Sequence, residues 1–332
     1  MTKTVKIEAP ARLHWGMFDV SGTLGRRFGG LGVAINRPAV ILEAATSGRL
    51  TAQGPTADRV LEFAGTYLSN TGVQAGATLR IEQTIPGHVG LGSGTKLALA
   101  VAYALAMLYG HSTDPHALAR AVGRKTRSAV GLWTFAQGGL VVEGGRHPDR
   151  RNSAPLLLRY PMPADWYCVL AIPDRIPLIS GKVEIAAFEK LSPTAEQAAK
   201  ITHVVLMSLL PALVEEDIVE FGAALTQVQR LVGDCFSPAQ GGSFSNPLSA
   251  QVIDAFLRWG AAGAGQSSWG PAVYGLVEGQ TQGRRLVDRT REMLGGRGTV
   301  ELVSFDNRGA RVANAYDMPA LAAPIYSWLT DN

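Results

Sequence analysis

Glycines 90, 92 and 94 enclose Ser93 and lead through Thr95 and Lys96 into Leu97–Tyr109, an uncharged apolar stretch that reads as a helix. Such a junction presents the unpaired amides of a first helical turn, where the macrodipole also places partial positive charge. Glycine removes the β-carbons that would hold a phosphate away from those amides. Lys96 points the same way, because a cation in a first turn opposes the dipole unless an anion lies close by. Gly90, Gly92, Ser93, Gly94, Thr95 and Lys96 are therefore candidates for binding phosphate or pyrophosphate. A tight loop packing into a core helix would use the same glycines.

The chain that positions this junction has 332 residues, long for one core. Two domains are expected, 1–155 and 156–332, parted at the polar loop Gly144–Pro155. Apolar residues at 46% and charged residues at 17% exclude a disordered or low-complexity chain. Leu97–Tyr109 falls short of the ~20 residues of a membrane span, and Met1–Glu8 alternates like a strand rather than carrying a signal region. A membrane partner and export are thus not expected. Cys168 and Cys235 form neither a disulfide framework nor a metal-ligand pair, which suits a reducing cytoplasm. A net charge of +4 favours anionic ligands only weakly. The densest basic run, Arg124-Lys-Thr-Arg127, follows the helical pattern Asp114–Val122, where cations near a helix end are ordinary, so nucleic acid is not an expected partner.

In the first half, Val5–Ala9 reads as a strand, as do Gly30–Ile35 and Val40–Ala45 with a break at Asn36-Arg37-Pro38. Leu79–Ile85 alternates with period two, Gly139–Glu143 forms a short strand, and helices are expected at Ala57–Thr71, Lys96–Tyr109 and Pro115–Lys125. The missing βαβ alternation argues against a Rossmann domain and for an α+β fold. In the second half, Trp166–Ile172 and Ala272–Val277 read as strands, and Leu248–Trp259 and Arg284–Leu294 as helices. Ser192–Leu210 and Pro211–Val232 read as two amphipathic helices, with Pro211 in the first turn of the second. Gly181–Glu184 has the arrangement of a helix start, and Val300–Ser304 with Ala310–Ala313 could form a terminal pair of strands. Helices covering an antiparallel sheet result.

Four segments carry a resemblance to a known family. Pro86-Gly-His-Val-Gly-Leu-Gly-Ser-Gly-Thr95 is similar to the phosphate loop of the GHMP superfamily of small-molecule kinases and their relatives. Arg12-Leu-His-Trp-Gly-Met-Phe-Asp19 with its continuation through Arg26-Arg27 to Gly32, together with Arg127–Gly145 and Gly263–Tyr274, resembles the 4-(β-D-ribofuranosyl)aminobenzene 5′-phosphate synthases within it. The resemblance implies a GHMP-kinase-like two-domain fold. Its amino-terminal domain would be like domain 2 of ribosomal protein S5, and its carboxy-terminal one a ferredoxin-like α/β layer. It also implies decarboxylating transfer of a phosphoribosyl group from 5-phosphoribosyl 1-diphosphate to 4-aminobenzoate, giving a C-riboside 5′-phosphate of methanopterin biosynthesis, with Mg²⁺ as cofactor and a homodimer as the assembly.

Departures from the kinases matter chemically. Trp133 stands after Gly131-Leu132 where those kinases commonly carry an Asp, and an indole cannot orient or deprotonate a hydroxyl. Gly263–Gly270 is also poorer in glycine than the third kinase motif, and Lys96 replaces a Gln expected of the synthases. On this resemblance Asp19 is the expected general acid/base or electrostatic partner of the sugar cation, and Arg26 and Arg27 grip a second anion. His14 and His88 would orient substrate; Gln266, Ser267 and Ser268 would donate to a carboxylate or phosphate; Trp133 and Trp269 would wall an aromatic acid. Each has an ordinary alternative: a turn for Asp19, solvated arginines, structural histidines, a polar turn at 266–268 and core indoles. A small-molecule kinase and a non-catalytic ligand sensor remain open alternatives.

Overall fold

The computed structural model describes residues 3–123, 128–149, 153–174, 191 and 194–312. Its spine is a long antiparallel pair, β1 (Thr4–Asp19) and β2 (Phe28–Ser47). β3 (Thr51–Gln53), α1 (Ala57–Thr71) and β4 (Gly76–Gln83) follow, with β4 pairing β2 and β3 lying parallel to β4. Val60, Ala64 and Tyr67 recur at helical spacing on the buried face of α1, which stops at Gly72 in the left-handed conformation. α2 (Ser93–Tyr109) is apolar on nearly every face because β1 and β2 cover one side and α1, α3 (Pro115–Ala121) and α4 (Val130–Ala136) the other. β5 (Leu140–Glu143) pairs β2, and β6 (Leu156–Tyr160) pairs β5.

The second layer is an antiparallel sheet in the order β10-β7-β9-β8, formed by β7 (Trp166–Pro173), β8 (Gly263–Gln266), β9 (Val273–Glu278) and β10 (Gly298–Ser304). Its helices are α5 (Ala195–Val204), entered through a Thr194/Gln197 capping box, α6 (Leu210–Val214), α7 (Ile218–Gln240), α8 (Pro247–Arg258) and α9 (Gln280–Leu294). A π-helical turn, Val205–Leu209, joins α5 to α6. Ala195–Val214 is long and apolar enough to cross a membrane by composition, yet Ile201, Val205, Leu209 and Leu213 are buried against the rest of the fold. β11 (Arg311–Val312) returns to β1.

Four expectations change. β2 is not broken at Asn36-Arg37-Pro38: residues 35–38 bulge opposite Ala11, where Ile35 bridges Phe305 and Asn36 Oδ1 accepts from the Ser304 amide at 3.1 Å. Pro211 opens only the short α6, and the long helix starts at Asp217, whose carboxylate accepts from the Val219 and Glu220 amides. The last two strands do not pair; β10 joins β7 and β11 joins β1. The first sheet runs past residue 155 through β6 and recovers β11, so the layers interleave instead of parting there. Arg124–Arg127, Gly181–Glu184 and Ala313 lie outside the described residues.

The layers meet on Trp15, fully buried in β1, whose ring lies 5.8 Å from Phe221, 5.9 Å from Tyr274 and 6.3 Å from Phe305. α7 packs on both β8 and β1. Residues at that end of β1 therefore face both sheets.

Candidate active site

Gly92 enters α2 in the left-handed conformation, and no side chain caps the helix. Its carbonyl takes the Thr95 and Lys96 amides, so the Ser93 and Gly94 amides head the turn as an anion cradle. The charge behind the cradle is not Lys96. That side chain is fully buried between α2 and α4, donates to Thr134 Oγ1 at 3.0 Å and lies over the Phe135 ring. Burial, then Arg12, hold its ammonium well below the usual lysine range. Arg12 takes the place the sequence suggested for Lys96. Its amide donates to Leu91 O at 3.3 Å, its Nη1 donates to Gly90 O, and a β-carbon on Gly92 would lie 3.2 Å from its Nε. Burial lowers it to about 10, which leaves it cationic at neutrality, and Nε has no partner among the described residues.

Ser267 fastens the cradle to the other layer. Its hydroxyl donates to Gly90 O at 2.6 Å and accepts from the His14 amide at 2.9 Å, while the Ser268 amide donates to His14 O. Gly90 has φ +90°, and a β-carbon there would collide with Ser267 O, just as one on Gly270 would collide with Val89. Ser267 is thus a structural hydroxyl whose proton is committed to Gly90 O rather than to an anionic substrate. Gln266 is also tied into the seam: its Oε1 accepts from the Ser245 amide at 2.7 Å and its Nε2 donates to Ser268 O at 2.8 Å. Gln229, which sequence reasoning passed over, accepts from the Gln266 amide and donates to Trp15 O.

Beside this seam opens a narrow cleft of about 30 Å³. His14, Ser268 and Trp269 line it, with Phe236 and Phe244 from the second layer. Phe236 meets Trp269 edge to face at 5.1 Å, giving an aromatic wall. Trp133 is not part of that wall. It packs with Ala129, Val130, Ala136, Val141 and Ala154, and its Nε1 donates to Ala154 O at 2.9 Å. The α4 residue facing the cradle is Gly131, where a β-carbon would stand 3.1 Å from Thr95 Cγ2. His88 is exposed with φ +59° on the approach to the loop.

Asp19 takes the turn role. Burial alone would raise its pKa, but its carboxylate accepts from Ser21 Oγ and the Gly22 amide, each at 2.7 Å, and from the Thr23 amide and hydroxyl, each at 3.0 Å, which lower it. A carboxylate held ionised with four donors closes the Asp19–Thr23 turn and is unsuited to proton transfer. Arg27 is exposed and leans on the loop, Nε donating to Val20 O at 3.1 Å and the guanidinium covering Phe28. Arg26 is half-buried, gives one bond from Nη1 to Gly145 O at 3.1 Å and keeps its other donors. The Arg26 loop connects to the cleft through Glu143, fully buried at the end of β5, and Ser128, whose Oγ lies 3.0 Å from His14 Nε2. An acid closing the apolar run Leu140-Val-Val was the sequence signal for Glu143.

Among the described residues no cluster of three His, Cys, Asp or Glu side chains could hold a metal. Asp19 and Glu143 are surrounded by hydrogen-bond donors, so the described residues do not build a site for Mg²⁺.

Comparison with known proteins fits this geometry. The family model for the GHMP kinases N terminal domain matches residues 56–132, and that for the GHMP kinases C terminal domain residues 209–295. The β-ribofuranosylphenol 5′-phosphate synthase of Methanothermobacter thermautotrophicus is 30% identical over 92% of this chain and 97% of its own. That of Archaeoglobus fulgidus is 32% identical over 84% of this chain and 90% of its own. Among solved structures, mevalonate diphosphate decarboxylase from Staphylococcus aureus superposes with a TM-score of 0.68 at 13% identity, covering 95% of this chain and 99% of that one. Homoserine kinase from Cytophaga hutchinsonii gives 0.65 at 20% identity, over 93% and 97%. These two likenesses establish a common fold.

Proposed function

Since the chain belongs to the β-ribofuranosylphenol 5′-phosphate synthase family of pentosyltransferase-type enzymes on the GHMP-kinase scaffold, we propose that it joins the ribosyl carbon of 5-phosphoribosyl 1-diphosphate to a para-substituted benzoate, releasing carbon dioxide and pyrophosphate. One observation carries the reading: Ser267 joins the Arg12-backed cradle to the aromatic-walled cleft, its hydroxyl bonding Gly90 O on one side and the amide of cleft-lining His14 on the other. The cradle amides and Arg12 take up the charge that grows on the departing diphosphate. Trp269, Phe236 and Phe244 hold the benzoate ring and keep water from the sugar cation. Arg26 offers its unused donors to a second anion, the 5′-phosphate or the carboxylate. Mg²⁺ belongs to this reading as an ion carried by the diphosphate.

The relatives' name specifies a phenol, which favours 4-hydroxybenzoate as acceptor over the 4-aminobenzoate expected from sequence. Purified protein is incubated with Mg²⁺, phosphoribosyl diphosphate and each carboxyl-labelled benzoate, and in parallel with ATP and a panel of sugars and mevalonate-type alcohols. Labelled carbon dioxide from one benzoate is the expected result. ADP formation would install the kinase reading, and binding without turnover the sensor reading; either outcome removes the proposal.

A further inference from the structure

Directly behind His14 stand two groups without a role so far. A serine hydroxyl has one proton and two lone pairs. Ser128 Oγ accepts from the Val130 amide at 3.2 Å, and its hydroxyl stabilises the charge of the neighbouring Glu143 carboxylate, the arrangement in which its proton turns to that group. One lone pair is left, and it faces His14 Nε2 at 3.0 Å. Glu143 is itself fixed, its Oε1 accepting from the Ala129 amide at 3.2 Å and its Oε2 from the Gly145 amide at 2.8 Å. With Glu143 ionised and taking the Ser128 proton, the hydroxyl accepts from the ring, which places the imidazole proton on Nε2 and leaves Nδ1 bare on a cleft-lining side chain.

We propose that Ser128 and Glu143 are positioning residues that lock His14 in the Nε2–H tautomer and form a buried proton relay, with Nδ1 accepting from the hydroxyl of the aromatic substrate. The assignment rests on the reading of the cleft as the benzoate site. When the sugar carbon bonds to the ring carbon para to the hydroxyl, electrons are drawn from that oxygen. Its O–H bond breaks as Nδ1–H forms, the Nε2 proton passes to Ser128 Oγ, and the Ser128 proton passes to Glu143. Loss of carbon dioxide returns its bonding pair to the ring, and the phenolate recovers the proton along the same path. Burial, then Arg12, hold His14 down to about 3, so imidazolium is not a resting state. Burial pushes Glu143 up to about 7 against its hydrogen bonds, so the far carboxylate can store the proton.

The test uses protein carrying ring-¹⁵N histidine, with His14 assigned from the signal lost in His14→Gln. Wild type should show a pyridine-type Nδ1 and a pyrrole-type Nε2. Ser128→Ala and Glu143→Gln should each shift His14 towards mixed tautomers and lower kcat about 100-fold or more, with KM for phosphoribosyl diphosphate little changed. An Nδ1–H or charged ring in wild type, or a His14 signal unchanged in Ser128→Ala, overturns the relay. So does an unchanged kcat in Ser128→Ala, which covers the case in which Glu143→Gln does not fold. If wild type lacks synthase activity, the proposed function fails while the spectra still decide the tautomer.

Discussion

Two cations near the cradle have opposite fates, and burial decides between them. Lys96 lies in the core with one hydroxyl partner, so the folded state disfavours its charged form. Unfolded lysine binds its proton below about pH 10.4 whereas the folded residue does so only at lower pH, so stability is lost as pH falls between those values. Lys96→Met should consequently raise neutral-pH stability by about 1–3 kcal/mol and leave pyrophosphate affinity intact, as chemical denaturation and titration calorimetry would show. Arg12→Met should instead weaken pyrophosphate about 10- to 100-fold, the loss of a hydrogen bond to a charged group. Glu143 has the reverse sign for a carboxyl. Its folded pKa, raised to about 7, exceeds the unfolded value near 4.3, so stability is fullest below about pH 4.3 and falls until about pH 7. Urea midpoints across that window should show the decline in wild type, on the order of 3 kcal/mol, and not in Glu143→Gln, which starts lower because an amide cannot accept from both backbone donors.

At the scale of elements, the seam between Val89-Gly90 and Ser267–Gly270 sets the site. Neither loop has regular pairing, and each approaches the other where only a hydrogen atom fits. Gly270→Ala should push the loops apart, costing about 1–3 kcal/mol of stability and a larger share of activity, since Ser267 would lose its grip on Gly90 and His14. Comparing the thermal midpoint with turnover in the same variant checks this. The glycines of the cradle were legible as a motif, but which glycine serves an anion and which serves packing was not. Gly90 and Gly270 serve the seam, and Gly92 leaves room for Arg12.

For the molecule as a whole, Trp15 ties both sheets into one core. Trp15→Ala should cost about 3–5 kcal/mol, and fluorescence and circular dichroism should still report one coincident transition in wild type. The interleaving of strands explains why: β6 and β11 belong to the first sheet although they flank or follow the second in sequence.

Period and composition already determined the α+β class, most helices, the apolar α2 and the glycine-rich junction that opens it, because these follow from nearest neighbours along the chain. Tertiary structure decided the rest. It buried Lys96 and Trp133 away from the cleft, committed the Ser267 proton to Gly90 O, closed a turn with Asp19, and set Arg12 beside the glycine junction and Ser128 with Glu143 behind His14. Whether a polar side chain is spent on its own fold or left free for a ligand depends on partners distant in sequence: Ser267 lies 253 residues from His14, and local spacing holds no record of that meeting.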